Sequence, residues 1–161
     1  MNPSIMKHLI LILALLFSSI GFTQKGWEPI ADSVVSAATS QLGTPYKWGT
    51  SNPNVSFDCS GFTAYAYGSA NVDNSRSSKA YATLGEQVLL AECRKGDCIL
   101  FSGTSPGSKT PGHVGIVVSN TADGIQFIHC SSSKNHYGVV ITDYYSSNYP
   151  KRFLQVRRLF E

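Results

Sequence analysis

Apolar residues change their spacing along this chain, and the changes mark its elements. Over residues 28–42, Ile30, Val34, Val35, Ala38 and Leu42 recur at helical intervals, which predicts a helix with one buried face. Pro29 suits its first turn and Gly43 its stop. Residues 44–54 are rich in turn formers and read as a loop. A second helix is predicted over 61–70, with Phe62, Ala64, Tyr65 and Ala66 as apolar surface and Asp58 as its cap. Residues 71–84 are polar and irregular, with a short helix near 78–82. The period then shortens. Residues 87–90, 98–102, 113–119, 124–130, 138–143 and 153–160 are β-branched or aromatic runs bounded by Gly, Pro, Asn or Asp, and read as strands. Ala122-Asp123-Gly124 is a hairpin signal, and 103–112 reads as a loop. Helices followed by an antiparallel meander make an α+β fold, with N-terminal helices packed on a mostly antiparallel sheet of about five to six strands. No internal repeat and no second module is visible.

The first residues follow a different rule. Lys7 and His8 precede an apolar run from Leu9 to Phe17, and small residues follow at Ser18, Ser19 and Gly21. That order predicts a secretory signal over 1–23, cut after Gly21 or Thr23, and a single domain over 24–161. The run is shorter than the ~20 residues a spanning helix needs, so no stable membrane anchor is expected after cleavage. The location expected is periplasmic or secreted. A net charge of +3 without a dense Lys/Arg stripe argues against a nucleic-acid partner.

Export puts the four cysteines, Cys59, Cys93, Cys98 and Cys130, in an oxidising space. Cys98 and Cys130 border apolar runs, so burial is the favoured reading for them. His129 adjoins Cys130, but no metal-ligand spacing is present, and neither a metal nor another cofactor is expected. Cys59 differs. It stands at the start of the second helix, where the macrodipole and free N–H groups favour thiolate, the nucleophilic form. Such a thiol needs a base, and the base needs an orienting group. His113 opens the run Val114-Gly115-Ile116-Val117-Val118, and His129 ends the run Gln126-Phe127-Ile128. If these runs pair through Asp123-Gly124, the two histidines come side by side. His136 lies in a polar stretch and reads as a surface residue.

Several motifs in order carry a resemblance. These are Gly43-Thr44-Pro45-Tyr46-Lys47-Trp48-Gly49, Asp58-Cys59-Ser60-Gly61-Phe62, Gly96-Asp97-Cys98-Ile99-Leu100-Phe101, Gly112-His113-Val114-Gly115-Ile116-Val117 and Ile128-His129-Cys130. Together they resemble the NlpC/P60 cell-wall cysteine peptidases, which have a papain-like fold. The resemblance spans about Ile30 to Phe160. It implies Cys59 as nucleophile, His113 as general base and acid, and His129 as orienting residue. It places Tyr46 near the nucleophile, and Asp58, Ser60 and Arg76 on the substrate side. It further implies a monomeric endopeptidase that cuts peptidoglycan stem peptides between γ-D-glutamyl and a diamino acid, through a thiolate–imidazolium pair and a thioester. The alternatives are a papain-like amidase or acyl-transfer enzyme on another cell-wall substrate, or a non-catalytic domain that binds cell-wall peptides. The chain departs from the family pattern at Thr50, where a second glycine is common, and at Cys98 and Cys130.

Overall fold

A computed structural model describes residues 26–103 and 107–161. The expected signal at 1–23 lies outside the described residues. Helix α1 spans Trp27–Thr39 and buries Ala31, Val34, Val35 and Ala38. It ends three residues before the pattern suggested, because Ser40 to Leu42 continue in turns rather than in α-helix. Gly43 then adopts φ +83°, and its N–H reaches Val139 O at 2.9 Å.

The predicted loop holds a small hairpin, β1 (Ser51–Asn52) and β2 (Ser56–Phe57). Strands of two residues are too short for any hydrophobic period to announce. Helix α2 spans Cys59–Ser69, two residues longer at its start than the apolar pattern indicated. Asp58 caps it as expected: the carboxylate accepts from Gly61 N–H at 2.6 Å. Helix α3 is Ser78–Tyr81.

The large sheet comprises β3 (Glu86–Val88), β4 (Cys98–Ser102), β5 (Pro111–Thr121), β6 (Gly124–Ser133), β7 (His136–Asp143) and β8 (Phe153–Arg158). Their spatial order is β3-β8-β4-β5-β6-β7, and all pairs are antiparallel. The expected meander therefore holds for β4 to β7 only, since β8 returns to sit between β3 and β4. A buried ion pair fixes that return: Arg158 meets both carboxylate oxygens of Asp97, at 2.9 and 3.1 Å, at the start of β4.

The sheet separates two apolar layers. Cys98, Leu100, Val114, Ile116, Ile128 and Cys130 face α1 and α2. Ile99, Phe101, Val117, Ile125, Phe127 and Val156 face a layer closed by Tyr144, Tyr149 and Phe153. All four cysteines are free and buried, as the burial reading of Cys98 and Cys130 required. Among the described residues no helix is long and apolar enough to cross a membrane.

Candidate functional site

Cys59 is the first residue of α2 and packs in the helix-side layer. Its thiol is not electrostatically free. Burial pushes it up, and the adjacent Asp58 carboxylate adds to this. The backbone N–H groups of Ser60, Val114 and Cys59 itself pull the other way. Burial wins, so the resting sulfur is held as thiol, whereas the helix start alone argued for thiolate. Val114 follows His113 directly, so β5 brings its backbone against the sulfur.

The rings of His113 and His129 pack against Phe101, Phe127 and Tyr149. Their rings stand edge to face, with His113 Nε2 and His129 Nδ1 2.8 Å apart. The hairpin expectation is met with a different register. Ile116 pairs with Ile128, and the ladder shifts by a residue between Val117 and Ser119. His113 is therefore a diagonal neighbour of His129, close enough for ring contact. Gly115 makes the room. A Cβ there would lie 2.9 Å from Ile128 O and 3.1 Å from His129 Cβ. His129 Nε2 continues to Thr142 Oγ1 on β7, 3.0 Å away.

Both imidazoles are neutral. Burial and the Arg152 guanidinium push His113 down to about 3. Burial, then His113 and Arg152, hold His129 well below the usual histidine range. Arg152 is anchored on Ser102 O and lies over the Tyr149 ring. The Tyr149 hydroxyl is 3.4 Å from His113 Nε2 and 3.5 Å from His129 Nδ1. Its phenol is pushed up to about 12, first by burial, with Arg152 opposing and Cys59 adding to the rise. The same hydroxyl thus lies near both imidazoles. Among the described residues no hydrogen bond joins Cys59 Sγ to an imidazole. In a substrate-free thiol site such contacts are commonly long and tighten on binding.

Tyr46 lies within electrostatic reach of Cys59 and Asp58. Its phenol is pushed up to about 12 by burial, then by Cys59 and Asp58, so it stays protonated and able to donate. Asp58, Ser60 and Arg76 also meet, but mainly each other. Arg76 donates to both Asp58 oxygens, at 2.9 and 3.1 Å. Gly49 N–H and Gly61 N–H donate to the same carboxylate, and the single Ser60 O–H has two acceptors in reach, Arg76 O at 2.9 Å and Asp58 Oδ1 at 3.1 Å. Burial alone would raise the Asp58 carboxyl, but Arg76 and the Gly61 N–H outweigh it and hold it below the usual range. This carboxylate is saturated with partners and fixes the helix start that carries Cys59. Only the Arg76 side chain, 45% exposed, is open to an approaching molecule.

His136 is exposed, at the start of β7. Thr142, Tyr149 and Arg152 were not anticipated as site residues. Thr142 and Arg152 sit in runs that sequence explains by strand pairing and charge alone, and only the sheet order brings them to the histidines. A cavity of 590 Å³ opens beside them, lined by His129, Thr142, Tyr149 and Arg152 among others.

Comparison with known proteins agrees with the motifs. The NlpC/P60 family model matches residues 43–158. The bifunctional muramidase/DL-endopeptidase CwlT of Bacillus subtilis (strain 168) is 34% identical over 96 residues, covering 60% of this chain and 29% of that protein. The gamma-DL-glutamyl hydrolase of the same organism is 31% identical over 119 residues, covering 74% of this chain and 27% of that protein. The solved structure of the peptidoglycan hydrolase RipB from Mycobacterium tuberculosis superposes with a TM-score of 0.66 at 26% identity, covering 87% of this chain and 69% of that one. The chain thus spans less than a third of the length of these two curated relatives. The order of motifs, the six-stranded sheet and the family match agree, and the chain belongs to the NlpC/P60 family.

Proposed function

We propose that this protein is an exported cysteine endopeptidase that hydrolyses peptidoglycan stem peptides at the γ-D-glutamyl–diamino acid bond. Residues 24–161 form its single catalytic domain, and 1–23 direct export. The observation that carries the reading is the 2.8 Å contact of His129 on β6 with His113 on β5, the strand whose backbone faces Cys59. The activities for which the relatives are named, those of a DL-endopeptidase, a gamma-DL-glutamyl hydrolase and a peptidoglycan hydrolase, support the substrate class.

The resting pair is a neutral thiol and a neutral imidazole. As the sulfur attacks the scissile carbonyl, its proton passes to His113. The oxyanion receives hydrogen bonds from the Cys59 N–H and the Tyr46 hydroxyl, each donor worth about 3 kcal/mol in such sites. His113 then protonates the leaving amine, and a thioester remains. A water deprotonated by His113 attacks the thioester and releases the acid. His129 fixes the ring of His113 throughout. Arg76, anchored on Asp58 and Ser60, offers its exposed edge to the substrate. The protein acts as a monomer and requires no metal in this scheme.

Purified sacculi provide the test. Cys59→Ala abolishes release of stem-peptide fragments, and mass spectrometry of products from defined muropeptides reports the bond cut. Undiminished release by the alanine variant would overturn the mechanism. Products cut between sugar and peptide would instead make the enzyme an amidase.

A further inference from the structure

We propose that Thr142 is a positioning residue: its hydroxyl holds His129 in the tautomer that leaves His113 free to accept a proton. The inference rests on the Cys59–His113–His129 reading above and adds a fourth member to it.

A neutral imidazole carries one N–H. His113 Nε2 and His129 Nδ1 are 2.8 Å apart, so one nitrogen donates and the other accepts. Two arrangements satisfy this contact. In one, His129 Nδ1 carries the hydrogen. His113 is then protonated on Nδ1, and neither of its nitrogens has a lone pair left for the Cys59 proton. In the other, His113 Nε2–H donates to His129 Nδ1, and His113 Nδ1 is open. His129 must then carry its hydrogen on Nε2, and that N–H needs an acceptor in a buried setting. Thr142 Oγ1 lies 3.0 Å away.

The placement is rigid. The β6–β7 ladder runs from Gln126↔Asp143 to Ser133↔His136 without a shift, and it sets Thr142 opposite Phe127. Phe127 stacks on the His129 ring at 4.9 Å. Thr142 is β-branched, so its rotation about χ1 is restricted. Tyr149 contacts the other nitrogen of His129 and does not compete. In turnover the thiol proton moves to His113 Nδ1, and the Nε2–H of the imidazolium stays directed at His129. No proton leaves for Thr142, which acts by orienting.

The test replaces Thr142 with Val, whose methyl fills the hydroxyl's place without accepting a hydrogen bond, and with Ser, which restores the acceptor. Thr142→Val lowers kcat about tenfold with KM within about twofold, the scale typical of lost orienting partners, and Thr142→Ser retains most of the activity. Nitrogen-15 NMR of the imidazoles shows His129 as the Nε2–H tautomer in the parent and in the serine variant, and shifted toward Nδ1–H in the valine variant. Unchanged kcat and tautomer in Thr142→Val would overturn the proposal. So would equal losses in Val and Ser with a parallel fall in Tm, which would mark a structural role. The spectrum is also recorded on Cys59→Ala protein, where it needs no turnover. Failure of the peptidase reading, seen as activity surviving in Cys59→Ala, is thereby separable from failure of the tautomer assignment.

Discussion

Asp58 and the His113–His129 pair are both buried, and they meet burial in opposite ways. Asp58 keeps its charge, because Arg76 and backbone N–H groups surround the carboxylate. The histidines give up theirs. Among the described residues no acid pairs with them, Arg152 repels a proton, and the two rings satisfy each other as neutral partners. Desolvating an ion is tolerable only when partners replace its water, whereas a neutral ring needs only one partner per nitrogen. The charged cluster is therefore a clamp for the helix start. The neutral pair is held in place without a charge.

The contrast can be broken at the two glycines that make room for each cluster. A Cβ at Gly61 would lie 2.2 Å from Thr50 O and 2.7 Å from Arg76 Nη1. Gly61→Ala is expected to destabilise by about 3 kcal/mol in denaturant unfolding, as overpacking against backbone does. Gly115→Ala meets its nearest atoms at 2.9 Å and is expected to lose only about 1–2 kcal/mol. A reversed order would mean that the acidic cluster tolerates rearrangement better than its hydrogen bonds suggest.

Removing the counter-charge comes next. Arg76→Met leaves the Asp58 carboxylate without its main partner, a loss expected near 2 kcal/mol. That is less than for a fully buried pair, because the guanidinium is half in water. Adding Asp58→Asn to this variant should recover part of the loss. If the double variant is no better than the single one, the charge was not the cause.

The pH response sharpens the difference. His113 titrates at about 3 in the folded chain and near 6.5 when exposed, and His129 moves in the same direction. The unfolded chain therefore binds more protons between these values. The stability that the neutral pair contributes is complete above about pH 6.5 and is lost as pH falls, by up to about 1.4 kcal/mol per pH unit for each such histidine. The Asp58 contribution, its carboxyl being held low, fades only below about pH 5, where the unfolded carboxylate begins to protonate. Unfolding midpoints between about pH 5 and 6.5 should therefore slope with pH, and His113→Asn should flatten that slope while Arg76→Met should not.

The smallest effect is expected at Tyr149→Phe. A hydroxyl 3.4 and 3.5 Å from the imidazole nitrogens makes a weak hydrogen bond, and its loss should change stability by less than about 0.5 kcal/mol. A larger loss in thermal unfolding would mean that the phenol is an essential third partner of the pair.

Much of the site was legible before any fold was known. Asp58, Cys59, Ser60 and Gly61 are contiguous, and cap, candidate nucleophile and glycine lie within one helical turn. Local rules governing helix starts suffice for them. The approach of His113 to His129 was also legible, because a hairpin joins neighbours in sequence. Its register was not. The shift between Val117 and Ser119 depends on packing in both layers of the sheet, which no local pattern encodes. The resting charge state escaped for the same reason. A helix start argues for thiolate, but burial, which only the assembled layers create, reverses the balance at Cys59.

The sequence by itself determined the main helices and the strands of the large sheet, the cap on α2, the choice of Cys59, His113 and His129 as candidates, and the family. These depend on short-range spacing and on motif order. The tertiary structure alone decided that β8 enters between β3 and β4, that Arg76 closes on Asp58 from 18 residues away, and that Thr142, Tyr149 and Arg152 join the histidines. Those facts depend on contacts between distant segments. Their free energy resides in burial and charge pairing, which exist only once the sheet has formed.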